Sequence, residues 1–418
     1  MEHVYLCIDL KTFYASVECV ERGLDPFKTN LVVADPSRGK GAICLAISPK
    51  MKQQGIRNRC RIFEIPGNIE YITALPRMKL YMQYSADIYG IYLKYVSKED
   101  IHVYSIDEAF LDITHYQKLY ALTAKEMAKR IMEDILQTTG ITATAGIGTN
   151  LYLAKIALDI TAKHRKDHMG YLDEASYQKL LWHHQPLTDF WQVGRGIARR
   201  LTKYGIVDMY GITQISERLL YQEFGVNAEY LIDHAWGREP TTIADIKRYH
   251  SKSNSISNNQ ILFENYCYED VELVVKEMVE LNVQDLVEKQ LVCSAIGLSI
   301  GYADDEIAAT GGSMKLPWKT NSYQLLLEQF LILYHKTTNP HHMIRRIGIS
   351  FGNVVDELYE TYDLFMDMEA LEKEKKLQTT LIKIKHKYGK NAVLKGMNVL
   401  DKATTQKRNK LVGGHNAE

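Results

Sequence analysis

Apolar runs and amphipathic segments alternate along the first 170 residues of this chain. Runs rich in β-branched or other apolar residues predict strands at 4–9, 31–34, 42–47, 103–113 and 141–148. Segments with helical spacing predict helices at 12–22, 49–55, 76–97, 122–137 and 150–163. The alternation predicts an α+β fold in which helices cover one face of a sheet.

The pattern changes after residue 186. Residues 186–214 are helical, with a Gly-x-Gly turn between two short helices, and the polar, basic residues 239–259 predict a linker. Residues 260–353 alternate strands and helices again and predict a second α+β unit. The chain ends in a segment that is first acidic and then basic: residues 371–418 hold twelve Lys or Arg and four Asp or Glu.

Composition bounds the class of protein. Of the 418 residues, 46% are hydrophobic and 24% charged, as in soluble globular proteins. We expect no membrane partner, because no run of 18 apolar residues occurs. The six cysteines have no CxxC spacing, and the N-terminus resembles no signal peptide, so we expect reduced thiols in a cytoplasmic protein. The net charge is zero, yet basic clusters such as residues 50–61 are compatible with a nucleic-acid partner.

Two adjacent acids interrupt the apolar run 103–113. Asp107 and Glu108 lie there, and Asp9 ends the first predicted strand. Three carboxylates at strand ends need a compensating cation, and Mg²⁺ prefers such oxygen ligands. Successive strand residues point to opposite faces, so a turn or bulge is needed for both acids to reach one site. From the spacing alone, a hairpin tip with solvated acids remains the alternative.

Three motifs together resemble the Y-family (UmuC/DinB-type) translesion DNA polymerases. They are "CIDLKTFYASVE", "YSIDEAFLDI" and "GIGTNLYLAKIALDITAKH", and the resemblance extends over essentially the whole chain. The ending "QKRNKLVGGHNAE" resembles the Gram-positive UvrX-type branch. The resemblance implies a right-hand polymerase: a ferredoxin-like palm (1–20 and 80–173), small fingers (21–79), a helical thumb with a helix-hairpin-helix element (174–241), an α+β little finger (250–356) and a C-terminal tail (357–418).

The resemblance also implies a two-magnesium site. Asp9 and Asp107 match the aspartates that ligate both ions, and Glu108 matches the acid that completes the ion nearest the primer 3′-hydroxyl. Leu10 stands where the family lends a backbone carbonyl to the metal. Ser105 belongs to the same motif and is expected to support it.

Four further residues are implied to bind the incoming nucleotide. Phe13 and Tyr14 match the aromatic pair under the sugar; Tyr14 would be the steric gate against a ribose 2′-hydroxyl, whereas Phe13 could equally be a core residue. Lys163 and Lys52 match cations near the triphosphate. The fingers segment "GAICLAISPKMKQQG" departs from the family pattern, because it is one residue longer and lacks the usual Thr and Tyr that contact the triphosphate.

Two more contacts follow from the resemblance. Gly194, Gly196 and Arg199 would hold a DNA phosphate at the helix-hairpin-helix turn. Leu364 and Phe365, in "TYDLF", resemble the anchors of a degenerate peptide that docks on the replication sliding clamp. The alternatives are a plain turn between helices and a hydrophobic pair within a helix.

The function implied is low-fidelity, template-directed DNA synthesis past lesions in DNA repair and the SOS response. Its substrates would be primer-template DNA and deoxynucleoside triphosphates. The protein would be located in the cytoplasm, associated with the nucleoid. Two alternatives remain: a catalytically silent DNA-binding accessory protein with a polymerase-like fold, and a nucleotidyl cyclase.

Overall fold

The computed structural model describes residues 3–251 and 254–418. They form two compact units, one of residues up to Tyr249 together with Glu418, the other of His250–Ala417. Residues 1–2 of the expected palm and residues 252–253 of the expected linker lie outside the described residues. No helix within the described ranges is both long and apolar enough to cross a membrane.

The first unit contains eight named strands and twelve α-helices within the described residues. The strands are β1 (Tyr5–Leu10), β2 (Leu31–Val33), β3 (Ala46–Ile47), β4 (Ile72–Ala74), β5 (Ile101–Val103), β6 (Glu108–Asp112), β7 (Ala143–Gly148) and β8 (Met169–Leu172). The helices are α1 (Phe13–Val20), α2 (Pro49–Gln53), α3 (Met78–Tyr92), α4 (Tyr116–Tyr120), α5 (Ala124–Thr139), α6 (Leu151–Ile156), α7 (Glu174–Leu181), α8 (Arg195–Thr202), α9 (Met209–Thr213), α10 (Glu217–Phe224), α11 (Ala228–Trp236) and α12 (Ile243–Arg248).

The central sheet of this unit has the order β5-β6-β1-β7-β8. Only β8 runs parallel to its neighbour; the other pairs are antiparallel. Cys7 and Phe110 share one face and pack against Ala154 and Leu158, in α6 and the turn after it. Leu10, on the other face, lines a cavity with residues of α3. The sheet therefore carries helices on both faces, and the expectation of a single covered face is wrong.

Two glycines let α6 lie directly on β7. A Cβ at Gly146 would stand 2.1 Å from the carbonyl oxygen of Ala154, and one at Gly148 would stand 2.2 Å from its amide nitrogen. After α6 the helix widens into a π-helical turn, Ala157–Thr161, of a kind that often marks functional sites. The predicted helix 150–163 is thus a short α-helix followed by this turn.

The predicted strand 103–113 is a hairpin. β5 and β6 pair antiparallel, and the chain reverses between them. The amides of Tyr104 and Ser105 both donate to the carbonyl of Glu108, at 2.9 and 3.1 Å. Asp107 therefore lies in the turn and Glu108 begins the strand, so the alternation of an ideal strand does not apply to this pair.

Residues 21–79 contain a small three-stranded sheet of order β3-β2-β4. Its strands have two or three residues each, and the predicted strand 42–47 is reduced to β3 and an isolated bridge between Ile43 and Arg61. Helices α7 to α11 share an apolar core around Leu201, Met209 and Leu231, and Tyr152 and Leu153 of α6 are part of it. The domain boundaries expected from the sequence stay predictions.

The second unit is a sheet of order β11-β10-β12-β9 packed on two helices. Its strands are β9 (Ile256–Tyr266), β10 (Leu291–Tyr302), β11 (Thr310–Thr320), β12 (Ile344–Gly352), β13 (Val355–Asp356), β14 (Leu411–Val412) and β15 (His415–Asn416). Its helices are α13 (Tyr268–Glu288), α14 (Tyr323–Thr337), α15 (Met368–Tyr388) and α16 (Thr405–Arg408). The predicted linker 239–259 is partly wrong, because α12 lies within it and β9 already begins at Ile256.

The segment expected as a C-terminal tail is folded onto this second unit. Helix α15 packs against α13, and the Glu374 carboxylate accepts a 2.7 Å hydrogen bond from the Ser322 hydroxyl. The buried Glu277 carboxylate accepts from Asn398 at 3.1 Å and from the Thr404 amide at 2.7 Å. These buried polar contacts tie residues that follow the predicted little finger into its structure.

Candidate active site

Asp9 and Glu108 stand opposite each other on neighbouring strands. The register of β1 and β6 pairs Asp9 with Glu108, and directly opposed residues point to the same face of a sheet. The Leu10 amide donates to the carbonyl of Asp107 at 2.9 Å, which ties the end of β1 to the hairpin turn. The hydroxyl of Ser105 donates to the Asp107 carboxylate at 2.6 Å. The fold thus brings the three predicted acids to one end of the sheet.

The electrostatics at Asp9 reflect this crowding. Burial, followed by the negative charges of Asp107 and Glu108, raises the pKa of Asp9 from 3.8 to about 7. Lys155 and Lys163 act in the opposite direction without cancelling the rise. The end of the sheet therefore holds a buried carboxylate crowded by two others, and a bound cation would relieve that crowding.

Four lysines, Lys11, Lys52, Lys155 and Lys163, lie near enough to Asp9 to interact with its charge. Burial lowers the pKa of Lys52, and Lys163 lowers it further, while Asp9 opposes both effects. Burial also lowers the pKa of Lys11, with Lys52 adding to the decrease and Asp9 opposing it. Lysines gathered around one carboxylate form a cationic pocket, which suits a polyanionic ligand such as a triphosphate.

Glu108 is buried, and both of its carboxylate oxygens accept hydrogen bonds. Its Oε2 accepts from the Lys155 ammonium at 2.8 Å, and its Oε1 accepts from the Cys7 thiol at 3.2 Å. Lys155 also contacts the Asp159 carboxylate at 3.0 Å. Burial lowers the pKa of Lys155, but the negative charges of Glu108 and Asp159, together with the hydrogen bond to Glu108, outweigh that effect and raise it.

The predicted metal ligands fit a divalent cation in charge and in donor chemistry. Within the described ranges, no three His, Cys, Asp or Glu side chains converge as a ready-made metal site. Among the residues that the structure describes, no lysine forms an ion pair with the carboxylates of Asp9 or Asp107, whereas Glu108 pairs with Lys155. The donor set is oxygen-rich and suits a hard divalent ion.

The predicted steric gate lies at the start of α1. Thr12 adopts a left-handed conformation with φ 46°, a strained geometry for a β-branched residue, and turns the chain from β1 into α1. The Tyr14 ring stacks on Tyr81 at a centroid distance of 4.5 Å. Phe13 is 3% exposed and packs in the core, the second of the two roles considered for it.

Tyr81 is itself held by a buried ionic network. Its hydroxyl donates to the Glu18 carboxylate at 2.7 Å, and Arg77 forms two further hydrogen bonds to the same carboxylate at 3.0 and 2.8 Å. Glu18 is completely buried and also pairs with Arg22. The platform beneath Tyr14 is therefore rigid.

The predicted DNA-contacting residues lie at the start of α8. Gly194 is the N-cap of this helix, Gly196 lies in its first turn, and Arg199 is exposed. A Cβ at either glycine would meet nothing within 4 Å, and neither has a positive φ. The fold does not require glycine here, whereas close approach of a ligand to the helix N-terminus would.

Leu364 and Phe365 are 98% and 96% exposed. They lie before α15 and not within a helix, in a loop held at both ends. Thr361 forms two hydrogen bonds with the backbone of Lys319, at 2.7 and 3.1 Å, and Asp367 caps α15.

Sequence reasoning missed Lys11, Lys155, Tyr81 and Glu18. The i, i+4 spacing of Lys155, Asp159 and Lys163 was a visible signal of alternating charge on one helical face. Nothing in the sequence around Tyr81 or Glu18 indicates that they meet.

Comparisons with known proteins agree with this geometry. The impB/mucB/samB family matches residues 8–159, and the C-terminal domain of that family matches residues 253–364. The UV-damage repair protein UvrX of Bacillus subtilis (strain 168) is 30% identical over 98% of this chain and 97% of its own length. DNA polymerase IV 2 of Halalkalibacterium halodurans is 27% identical over 99% of this chain and all of its own.

A solved Y-family DNA polymerase chimera of Dbh and Dpo4 has the same fold. Its TM-score is 0.65 at 21% identity, and the match covers 84% of this chain and 99% of the chimera. Full-length relatives named DNA polymerase favour a polymerase over the silent accessory protein and the cyclase considered above. This chain belongs to the Y-family DNA polymerases, on their UvrX-like branch, and is a DNA-directed DNA polymerase.

Proposed function

We propose that this polymerase copies damaged templates with low fidelity, by nucleotidyl transfer at a site that holds two Mg²⁺ ions. The observation that carries the proposal is the convergence on Asp9 of two further carboxylates and of Lys52 and Lys163. An oxygen-rich anionic centre beside a cationic pocket suits a divalent ion and a triphosphate together. A UV-damage repair protein among the full-length relatives supports a role in DNA repair and the SOS response, in the cytoplasm at the nucleoid.

Asp9, Asp107 and the Leu10 carbonyl would hold the ions, joined by Glu108. Bound divalent ions in such sites polarise the attacking hydroxyl and stabilise the leaving oxygen of an in-line transfer. Lys52 and Lys163 would bind the triphosphate. The Tyr14 ring, fixed by its stack on Tyr81, would exclude a ribose 2′-hydroxyl.

Low fidelity follows from the size of the fingers. Strands of two or three residues and the five-residue helix α2 offer little surface to press on a nascent base pair. The enzyme would then discriminate only weakly between correct and incorrect nucleotides by their shape, and selection would depend mainly on base pairing. The same open site would admit a damaged template base.

Both units offer surfaces for primer-template DNA. The start of α8, with Gly194, Gly196 and Arg199, would hold a backbone phosphate. In the second unit, small residues occupy the middle of the sheet face away from α13 and α14. They include Gly297, Ser299, Gly301, Gly348 and Ser350, with Arg346 beside them. Small side chains would let a phosphate backbone approach the strands closely.

Leu364 and Phe365 would dock on the replication sliding clamp. Both side chains are almost completely exposed, and their loop is held at Thr361 and Asp367. A tethered loop would lose less conformational entropy on binding than a free tail.

Primer extension with Mg²⁺ tests the proposal. We expect template-dependent extension that Asp107→Ala combined with Glu108→Ala abolishes, while binding of primed DNA survives. Wild-type protein that binds primed DNA and adds no nucleotide would contradict it. Extension past a UV-damaged template, with and without clamp, then tests lesion bypass; Leu364→Ala with Phe365→Ala should remove only the effect of the clamp.

A further inference from the structure

Lys155 links the predicted cation site to the predicted triphosphate site. Its ammonium lies 2.8 Å from Glu108 and 3.0 Å from Asp159, and its side chain is 10% exposed. Asp159 also contacts the ammonium of Lys163 at 3.3 Å. Four side chains of alternating charge are therefore linked by consecutive ion pairs, in the order Glu108, Lys155, Asp159 and Lys163.

The backbone geometry of the fold positions these four side chains. Asp159 lies in the π-helical turn, and Gly146 and Gly148 allow α6 to lie flat against the sheet that carries Glu108. The Cys7 thiol occupies the other oxygen of Glu108 at 3.2 Å. Each oxygen of this carboxylate thus has a protein donor, and of the two donors only the Lys155 ammonium is a cation that competes with a metal ion for Glu108.

We propose that Lys155 is a positioning residue that competes with a divalent cation for Glu108, and that Asp159 receives it when Glu108 turns to the cation. A buried lysine left without a carboxylate is costly, so the second partner makes the exchange possible. A triphosphate that draws Lys163 away would leave Asp159 free to hold Lys155. Nucleotide binding and recruitment of Glu108 would then promote each other, as linkage requires. The inference rests on the proposed two-metal function.

Binding of Mn²⁺ alone, measured by electron paramagnetic resonance on the full chain without DNA or nucleotide, tests the exchange. Lys155→Met removes the competitor and should tighten Mn²⁺ binding by about tenfold. Asp159→Asn leaves Lys155 with Glu108 alone and should weaken Mn²⁺ binding by about fivefold.

Two further variants separate competition from a simple change of local charge. In the double variant Lys155→Met/Asp159→Asn, the Asp159 substitution should have no further effect, because Asp159 acts through Lys155. Additive effects would overturn the proposal. Lys155→Arg conserves the charge, but its guanidinium group can form two parallel hydrogen bonds to a carboxylate and so binds Glu108 more tightly. The variant should therefore weaken Mn²⁺ binding.

Thermal melting of each variant shows which ones are folded. If Lys155→Met does not fold, Lys155→Arg and Asp159→Asn still decide the outcome, since unchanged Mn²⁺ affinity in both would overturn the proposal. Primer extension by the wild-type protein tests the proposed function separately: its failure would leave the Mn²⁺ pattern intact, and a failed Mn²⁺ pattern would leave extension intact.

Discussion

Replacing Asp9 with asparagine should stabilise the metal-free protein at alkaline pH. The pKa of this carboxyl is raised from 3.8 to about 7 in the fold, so the folded state holds the proton more tightly than the unfolded state does. The stability it contributes is complete at low pH and is lost as the pH rises towards 7. Each unit of pKa difference corresponds to about 1.4 kcal/mol, so the full loss approaches about 4 kcal/mol.

Asp9→Asn cannot ionise and escapes this loss. Because solvent reaches part of the site and screens its charges, we expect the stability advantage of the variant to grow by about 2 kcal/mol between pH 5 and pH 8. Urea unfolding in EDTA across this range measures it. Asp107→Asn should show a smaller change of the same sign, since Asp107 raises the pKa of Asp9.

Asp87→Asn, an exposed change on α3, is the matched control and should show no such trend. Saturating Mg²⁺ should reduce the advantage of Asp9→Asn, because the cation binds and stabilises the wild-type site. A pH-independent difference, or an Asp9→Asn variant less stable than wild type at pH 8, would refute the raised pKa of the Asp9 carboxyl.

Three other predictions concern the scaffold of the site. Tyr14→Ala should raise ribonucleotide incorporation, and Tyr81→Leu should do so to a smaller extent by loosening the stack; unchanged ratios of kcat/KM for ribo- and deoxynucleotides would exclude the gate. Gly146→Ala should cost about 2 kcal/mol in urea unfolding and slow extension, because its Cβ would stand 2.1 Å from a carbonyl oxygen of α6; wild-type stability would show that α6 yields freely. Arg77→Met should cost about 3 kcal/mol at pH 7 by leaving the buried Glu18 carboxylate underpaired. Hydrogen bonds from Arg77 and Tyr81 outweigh burial and lower the pKa of Glu18, so the native pair loses its stabilisation as the pH falls below the ordinary value of 4.5, and the cost should shrink there; a constant cost would contradict this.

Periodicity located most elements because it reflects local geometry. β1, β7 and α5 lie within two residues of their predicted bounds, since apolar runs and amphipathic helices carry strong signals. The segment 103–113 was misassigned as one strand, because its turn contains no glycine or proline. Helix α15 was missed, since its packing against α13 depends on contacts distant in the chain.

The sequence by itself determined the alternation of strands and helices, the three acids and the motifs that relate the chain to a polymerase family. Only the tertiary structure decided that Asp9 opposes Glu108, that Glu108 is turned to Lys155 and that Tyr14 rests on Tyr81. The physical reason is that secondary structure follows from the spacing of neighbouring residues. Burial, charge pairing and the pKa of Asp9 follow instead from residues that meet only when the chain is folded.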